Sequence, residues 1–189
     1  MSIRLWRSIA AVTSVLALAT VVLAIKAKYA RLDSPVVTQS RPFRSGSETQ
    51  LILIGANGCA GSRAPQLQSA LRVIHRVSRR AALSAGRRFS YVGVAIDPTV
   101  KEGQDFLDHF GPFDEIVAGG NWANIGAARF IWRDFPGRST VPQLVVLERT
   151  IHVDTTGVKI GAEKILFRKI SVDSIVAYAN ALKGIGDTE

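Results

Sequence analysis

The chain has one cysteine, Cys59, and three histidines among its 189 residues. One thiol cannot form a disulfide within the chain. The histidines His75, His109 and His152 are scattered, and they do not combine with Cys59 in a spacing typical of a metal site. The sequence therefore predicts a fold that needs neither a disulfide nor a metal ion, and it predicts no cofactor.

Acidic residues are also scarce, with 15 Asp and Glu against 24 Lys and Arg, which gives a formal net charge of +9. A strongly basic chain can indicate nucleic-acid binding. No helix-turn-helix, zinc-finger or aromatic-rich single-strand signature is present, so we do not expect a nucleic-acid partner. With 47% hydrophobic residues, the chain has enough apolar material for one folded domain.

One long apolar run without charge, residues 9–25, lies near the start of the chain, with Arg4 and Arg7 before it and Lys26 after it. As a helix it would span roughly 25 Å, close to the ~30 Å hydrocarbon core of a bilayer. We expect residues 1–31 to form an N-terminal signal anchor, with the short basic leader inside. A cleaved signal peptide, processed near Ala19, is the alternative.

Residues 32–49 contain two prolines and several serines and threonines without periodicity, which predicts a flexible tether. The rest, residues 50–189, is expected to form one α/β domain. It should begin with a buried strand at 50–55, an amphipathic helix from Ser62 to a stop at Gly86, and a strand at 89–96. Helices are expected at 101–110 and 124–132, with a short strand between them at 115–117. A hairpin should follow, with strands at 143–147 and 151–155 and its turn at 148–150. A helix at 172–182 should close the domain.

This order of elements resembles the thioredoxin-like superfamily, and two motifs fall where that family keeps its chemistry. Cys59-Ala60-Gly61-Ser62 is similar to the family's Cys-x-x-Cys motif, with Ser62 in place of the second cysteine. Thr140-Val141-Pro142-Gln143 is similar to the cis-proline loop that faces the active-site cysteine. The whole chain resembles membrane-tethered thioredoxin-like proteins of bacterial cell envelopes. That resemblance implies a single-pass protein of the inner (cytoplasmic) membrane, with its domain on the periplasmic side.

The cysteine motif departs from the family pattern. Gly58 stands where a tryptophan is usual, and no second cysteine exists, so cyclic dithiol–disulfide turnover within one chain is excluded. Cys59 would act as a monothiol. A position near a helix N-terminus favours the thiolate, and Ser62 and Arg63 are the expected stabilising partners. The alternative is a vestigial thiol, because Ser62 also suits an N-cap or first-turn position without redox chemistry.

An aromatic-rich segment precedes the proline loop, and the resemblance implies that it lies near the cysteine. It would form one wall of a groove for an extended polypeptide, although a core or rim role is equally compatible with the sequence. The expected groove residues are Trp122, Trp132, Thr140, Val141 and Pro142.

Two functions follow from these expectations. The first is monothiol thiol–disulfide exchange on a protein or glutathione-type substrate, with an external thiol reductant. The second is a non-catalytic module of the same fold that binds a partner polypeptide. A peroxide-reducing thiol is disfavoured, because the threonine and arginine arrangement of that family is not recognisable.

The stretch from residue 49 to residue 96 contains no acid. Its arginines could rest on anionic membrane lipid. The alternative is a solvated helix face whose cations complement the helix dipole. The arginines of this set are Arg72, Arg76, Arg79, Arg80, Arg87 and Arg88.

Overall fold

The structure, a computed structural model, describes residues 20–23, 34–39 and 41–186. Within those ranges, no helix has the length and apolar character needed to cross a membrane. The expected signal anchor at residues 1–31 and the alternative processing near Ala19 fall almost wholly outside the described residues. The anchor therefore stays a prediction.

Six strands form one mixed sheet in the order β1-β4-β3-β2-β5-β6, in which β2, β3 and β4 run parallel and the other neighbours pair antiparallel. The strands are β1 (Val36–Gln39), β2 (Gly46–Gly55), β3 (Arg88–Ala95), β4 (Glu115–Ala118), β5 (Gln143–Asp154) and β6 (Gly157–Ile170). The helices are α1 (Pro65–Ser84), α2 (Val100–Leu107), α3 (Ile125–Ala127) with a π-helical continuation (Ala128–Arg133), and α4 (Val172–Gly186). This mixed sheet with flanking helices is consistent with the thioredoxin-like fold that the resemblance implies.

The central strand β2 is apolar on both faces, as a strand covered by helices on both sides must be. Leu51 and Leu53 pack into the cluster that includes residues of α1 and α4. Ile52 and Ile54 pack on the opposite face with residues of the π-helical segment. All four side chains are fully buried. The carboxyl end of β2, from which the cysteine loop leaves, is therefore fixed by packing from both sides.

Helix α1 has the predicted apolar stripe but starts later than expected. Leu67, Leu71 and Ile74 are buried, which confirms the amphipathic pattern. The helix begins at Pro65 rather than at Ser62, because a proline disfavours the helical conformation of the residue before it. Ala64 accordingly has an extended ψ of 126°.

The tether prediction is wrong for two parts of residues 32–49. The β-branched pair Val36-Val37 belongs to β1, which pairs antiparallel with β4 at the edge of the sheet. Residues 46–49 extend β2 toward its amino end and pair with β5. A four-residue edge strand is too short for its periodicity to stand out from a loop.

The predicted turn at residues 148–150 is also wrong, because β5 continues straight through it. Arg149 is 5% exposed and donates from Nε to Oε2 of Glu48 on β2, at 2.7 Å. The turn lies after Asp154, whose Oδ1 accepts from the Thr156 N–H at 2.7 Å. The sequence did not predict β6, since all of its side chains are exposed or half-buried and form no strong apolar pattern. The strands predicted at 89–96 and 115–117 and the closing helix at 172–182 are present as β3, β4 and α4.

Candidate active site

The site lies at the edge of the sheet where the parallel strands end. The loop after β2 carries Cys59, and β5 starts beside it, because Ile54 of β2 is the register partner of Gln143. Pro142 immediately precedes that partner. Because β2 and β5 are antiparallel, the carboxyl end of β2 lies beside the amino end of β5, and this pairing brings the cysteine loop and the proline loop together.

Cys59 and Val141 are in direct contact at this edge. Cys59 is half-buried, and its Sγ donates a hydrogen bond to the carbonyl oxygen of Val141 at 3.3 Å. The Val141–Pro142 peptide bond is cis, the isomer that the resemblance implies. Pro142 is buried, whereas Thr140 is exposed at the rim of the loop. A thiol at this position faces a backbone carbonyl at the mouth of the loop.

Two backbone turns hold the cysteine in place. The Cys59 N–H donates to the carbonyl of Ala56 at 3.1 Å, and the Arg63 N–H donates to the carbonyl of Cys59 at 3.2 Å. Residues 59–63 therefore form a separate turn ahead of α1. Cys59 lies in the turn between β2 and α1, as expected, but α1 begins at Pro65, six residues after it.

Gly61 lets the two motifs approach each other. A Cβ atom on this residue would lie 3.2 Å from Cδ of Pro142 and 3.7 Å from Sγ of Cys59. The first distance is shorter than an ordinary van der Waals contact. Glycine is thus the residue that fits between the sulfur and the proline ring without moving either of them.

The expected thiolate partners have other positions. Ser62 is fully buried, and its Oγ accepts from the Ala56 N–H at 3.3 Å, so the hydroxyl closes the cysteine loop. Arg63 is exposed. Within the part of the chain that the structure describes, no hydrogen bond or ion pair joins either side chain to Cys59. Their thiolate-stabilising role therefore stays a prediction.

Asp97 is a site residue that the sequence reasoning missed. It follows β3 at the same edge and is 3% exposed; its Oδ1 accepts from the Asn57 N–H at 2.9 Å. Its carbonyl accepts from the Asn121 N–H at 3.0 Å, which ties the cysteine loop to the loop after β4. Burial raises the pKa of Asp97, and hydrogen bonds from the backbone of Asn57 and Gly58 oppose that rise. The available signal was an acidic residue directly after an apolar strand.

Two buried amides complete the support of the loops, and the sequence reasoning gave neither of them a role in the site. Gln143 is fully buried and donates from Nε2 to the carbonyl of Thr140 at 2.7 Å, which holds the proline loop. Asn124 is fully buried, donates to the carbonyl of Gly119 at 2.8 Å, and caps α3 by accepting from the Gly126 N–H at 2.7 Å. An asparagine just before a helix is a recognisable N-cap signal.

The two tryptophans come together as an exposed pair. Trp122 and Trp132 are 38% and 47% exposed, with ring centroids 5.9 Å apart at 64°. Trp122 follows Asn121, whose N–H donates to the Asp97 carbonyl, so Trp122 lies at this edge of the sheet. Its ring contact brings Trp132 of the π-helical segment to the same place. The two rings form an exposed aromatic surface that water covers in the isolated chain.

Among the described residues, no group of three His, Cys, Asp or Glu side chains is arranged to hold a metal ion. This edge of the sheet presents the Cys59 thiol, the buried Asp97 carboxyl group and the exposed ring pair of Trp122 and Trp132.

Comparison with known proteins gives distant structural similarity. No family model and no curated protein matches the chain. Among solved structures, it is similar to MTB DsbF in its mixed oxidised and reduced forms, at 20% identity over 71% of this chain and 81% of that one, with a TM-score of 0.35. A thiol:disulfide interchange protein from Chlorobium tepidum TLS matches at 16% identity over 70% and 79%, with a TM-score of 0.35. Copper-bound ScoI from Arabidopsis thaliana matches at 14% identity over 74% and 85%, again at 0.35. With TM-scores this low, the function has to be inferred from the geometry of this chain.

Proposed function

We propose that this chain is a membrane-anchored thioredoxin-like protein whose Cys59 carries out monothiol thiol–disulfide exchange on a protein or glutathione-type disulfide. The observation that carries the proposal is the 3.3 Å contact between Sγ of Cys59 and the carbonyl of Val141. It joins a half-buried thiol to the backbone of the loop that would hold an extended substrate.

The exchange proceeds in two balanced steps. The Cys59 thiol loses its proton to solvent, and the thiolate attacks one sulfur of the substrate disulfide. A new S–S bond forms to Cys59, while the other substrate sulfur leaves as a thiolate. An external thiolate then attacks the mixed disulfide, takes the substrate sulfur into a new disulfide and releases Cys59. The external thiol is needed because the chain has no second cysteine.

The alternative function is a non-catalytic module that binds a partner polypeptide at the same edge. The exposed pair Trp122 and Trp132 favours it, because an apolar aromatic surface of this kind gains from being covered. The hydrogen bond of the Cys59 thiol also favours it, since ionisation would break that bond.

Incubation of the full chain with oxidised glutathione tests the catalytic proposal. Intact-mass measurement should show one glutathione adduct, located on Cys59, which an added thiol removes to regenerate the free protein. A Cys59→Ser chain should gain no adduct. If the wild-type chain stays unmodified, or if the adduct resists the added thiol, the exchange proposal fails.

The binding alternative requires a different outcome. A polypeptide captured at this edge should bind equally well to the wild-type and Cys59→Ser chains, and more weakly to Trp132→Ala. Leu166, which is exposed on β6, supplies the matched control through Leu166→Ala. Binding that disappears with Cys59→Ser would instead support a mixed disulfide.

Membrane attachment is tested independently of the thiol. The apolar run at residues 9–25 should keep the full-length chain in the membrane fraction after carbonate washing. A protease added to the periplasmic side should digest the domain. Release of a chain shortened near Ala19 would favour a cleaved signal peptide.

A further inference from the structure

A large groove lies along the outer side of α1, between that helix and the segment at residues 108–112. Its volume is about 870 Å³. Arg72, Arg76 and Arg79 line it from the helix at four- and three-residue steps, so they share one helix face. Neither Cys59 nor Pro142 is among the lining residues. The groove is therefore separate from the candidate active site.

The groove carries an excess of positive charge that the protein leaves unbalanced. Four arginines line it, Arg72, Arg76, Arg79 and Arg80, against one acid, Asp108. Across the described ranges, none of the four forms an ion pair. They do not complement the helix dipole either, because the last turn of α1 contains no basic residue.

The wall of the groove contains a buried hydroxyl without a partner. Tyr91 is 3% exposed, and its hydroxyl oxygen has no hydrogen bond in the described chain. The ring is fixed between His75 and Phe113, at centroid distances of 5.0 and 4.1 Å. Burial raises the pKa of Tyr91, so the hydroxyl keeps its proton at neutral pH. A buried donor of this kind is costly unless something accepts from it.

The remaining lining combines apolar and polar side chains. The apolar ones are Leu71, Leu83, Phe110 and Pro112, and the polar ones are Gln68, His75, Ser84 and His109. A ligand for this groove thus needs several anionic oxygens to meet the four arginines. Guanidinium groups match phosphate oxygens in geometry and charge, and several arginines together favour a group that carries more than one oxygen.

We propose that this groove binds a phosphate-bearing molecule, with the phosphate oxygens on Arg72, Arg76 and the Tyr91 hydroxyl. The phosphate is supplied by a phospholipid headgroup or by a free phosphate ester. The site does not depend on Cys59 chemistry.

The test uses the full chain in micelles of a non-ionic detergent. Inorganic pyrophosphate and glycerol phosphate are titrated in one arm. The other arm uses micelles doped with phosphatidylglycerol, against phosphatidylcholine. The readouts are the thermal unfolding midpoint, which rises when a ligand binds the folded state, and isothermal titration calorimetry. Sodium chloride at matched ionic strength controls for general screening.

Three variants and one control define the site. Arg72→Gln, Arg76→Gln and Tyr91→Phe should each weaken phosphate binding by roughly tenfold or more, the loss expected for a hydrogen bond to a charged group. Tyr91→Phe should leave the unfolding midpoint without ligand unchanged or higher, because it removes only an unpaired hydroxyl. Arg138→Gln, at an exposed arginine outside the groove, should bind as the wild type does.

The two arms of the titration distinguish a free phosphate ester from a phospholipid headgroup. Variant-sensitive binding of soluble phosphates assigns a free ester, and variant-sensitive stabilisation by phosphatidylglycerol alone assigns a lipid headgroup. If none of the three variants weakens binding, or if neither arm shows binding, the proposal is overturned. The arginines would then form a solvated helix face.

Discussion

The Sγ atom of Cys59 lies 3.3 Å from the carbonyl oxygen of Val141, although 82 positions separate the two residues in the chain. The sheet creates this contact, because β2 and β5 are neighbours and the two loops leave the same edge. The packing of β2 from both faces fixes the end of the strand from which the cysteine loop leaves.

Gly61→Ala should disturb the contact. The added Cβ would lie 3.2 Å from Cδ of Pro142, and the proline or the cysteine turn must move to accept it. We expect a loss of unfolding free energy of about 1 kcal/mol, typical of mild overpacking, and a changed rate of Cys59 alkylation by iodoacetamide.

Gly58→Ala is the matched control, because a Cβ atom there has nothing within 4 Å. It should leave both the unfolding free energy and the alkylation rate close to the wild-type values. Equal effects of the two substitutions would show that the close approach at Gly61 has no special role.

Ser62→Cys should restore a disulfide with Cys59. The two positions are three residues apart in a turn closed by the Arg63 N–H and the Cys59 carbonyl, which is the spacing of a Cys-x-x-Cys motif. Under mild oxidant, intact mass should fall by the two hydrogens lost on S–S formation, and the variant should gain dithiol reductase activity.

Ser69→Cys is the control for that experiment. Ser69 is exposed on α1, beyond the cysteine turn, and a thiol there should stay reduced within the chain. A Ser62→Cys chain that keeps two free thiols under the same oxidant would mean that the turn lacks the geometry of a Cys-x-x-Cys motif.

The sequence predicted the parts of the molecule that depend on local patterns. The apolar stripe of α1, the strand β3 and the closing helix α4 follow from periodicity, and the structure contains them. The meeting of Cys59 with Val141 came from the family resemblance, because no local pattern relates two loops so far apart. These predictions succeeded because a helix buried on one face, or a strand buried on both faces, has a recognisable pattern of apolar residues in the sequence.

The failures come from interactions between distant segments. Glu48 and Arg149 form a buried ion pair between β2 and β5. Arg149 lies within residues 148–150, where the sequence predicted a turn and the strand continues instead. Asp97 and Gln143 act on the backbone of other loops, so their roles are visible only after the sheet has formed. Helix α1 starts at Pro65 rather than at Ser62, because proline disfavours the helical conformation of the residue before it. The sequence alone was sufficient to predict this start.

Asp97→Asn should change how stability depends on pH. Burial, with a smaller effect of Glu102, raises the pKa of Asp97 above its value of 3.8 in the unfolded chain. The folded state therefore holds this proton more strongly, and the wild type loses stability as pH rises through the folded-state pKa. The unfolding free energy of Asp97→Asn, minus that of the wild type, should increase over this range and then level off.

Asp134→Asn gives a control of opposite sign. The hydrogen bond from Arg133 lowers the pKa of Asp134, so its carboxylate stabilises the fold above the unfolded-state value and loses that effect as pH falls. Urea unfolding at several pH values should show the two differences moving in opposite directions. If the difference in unfolding free energy between Asp97→Asn and the wild type does not change with pH, the raised pKa of a buried Asp97 is contradicted.

The rate at which Cys59 forms a mixed disulfide in the folded chain, compared with the urea-unfolded chain at the same pH, tests the central claim most directly. Oxidised glutathione is the reagent, intact mass is the readout, and Cys59→Ser is the blank. If Cys59 is a working nucleophile, the folded chain should react faster by roughly tenfold or more, because an active-site cysteine owes its reactivity to its folded surroundings. A folded chain that reacts no faster than the unfolded one would contradict the claim.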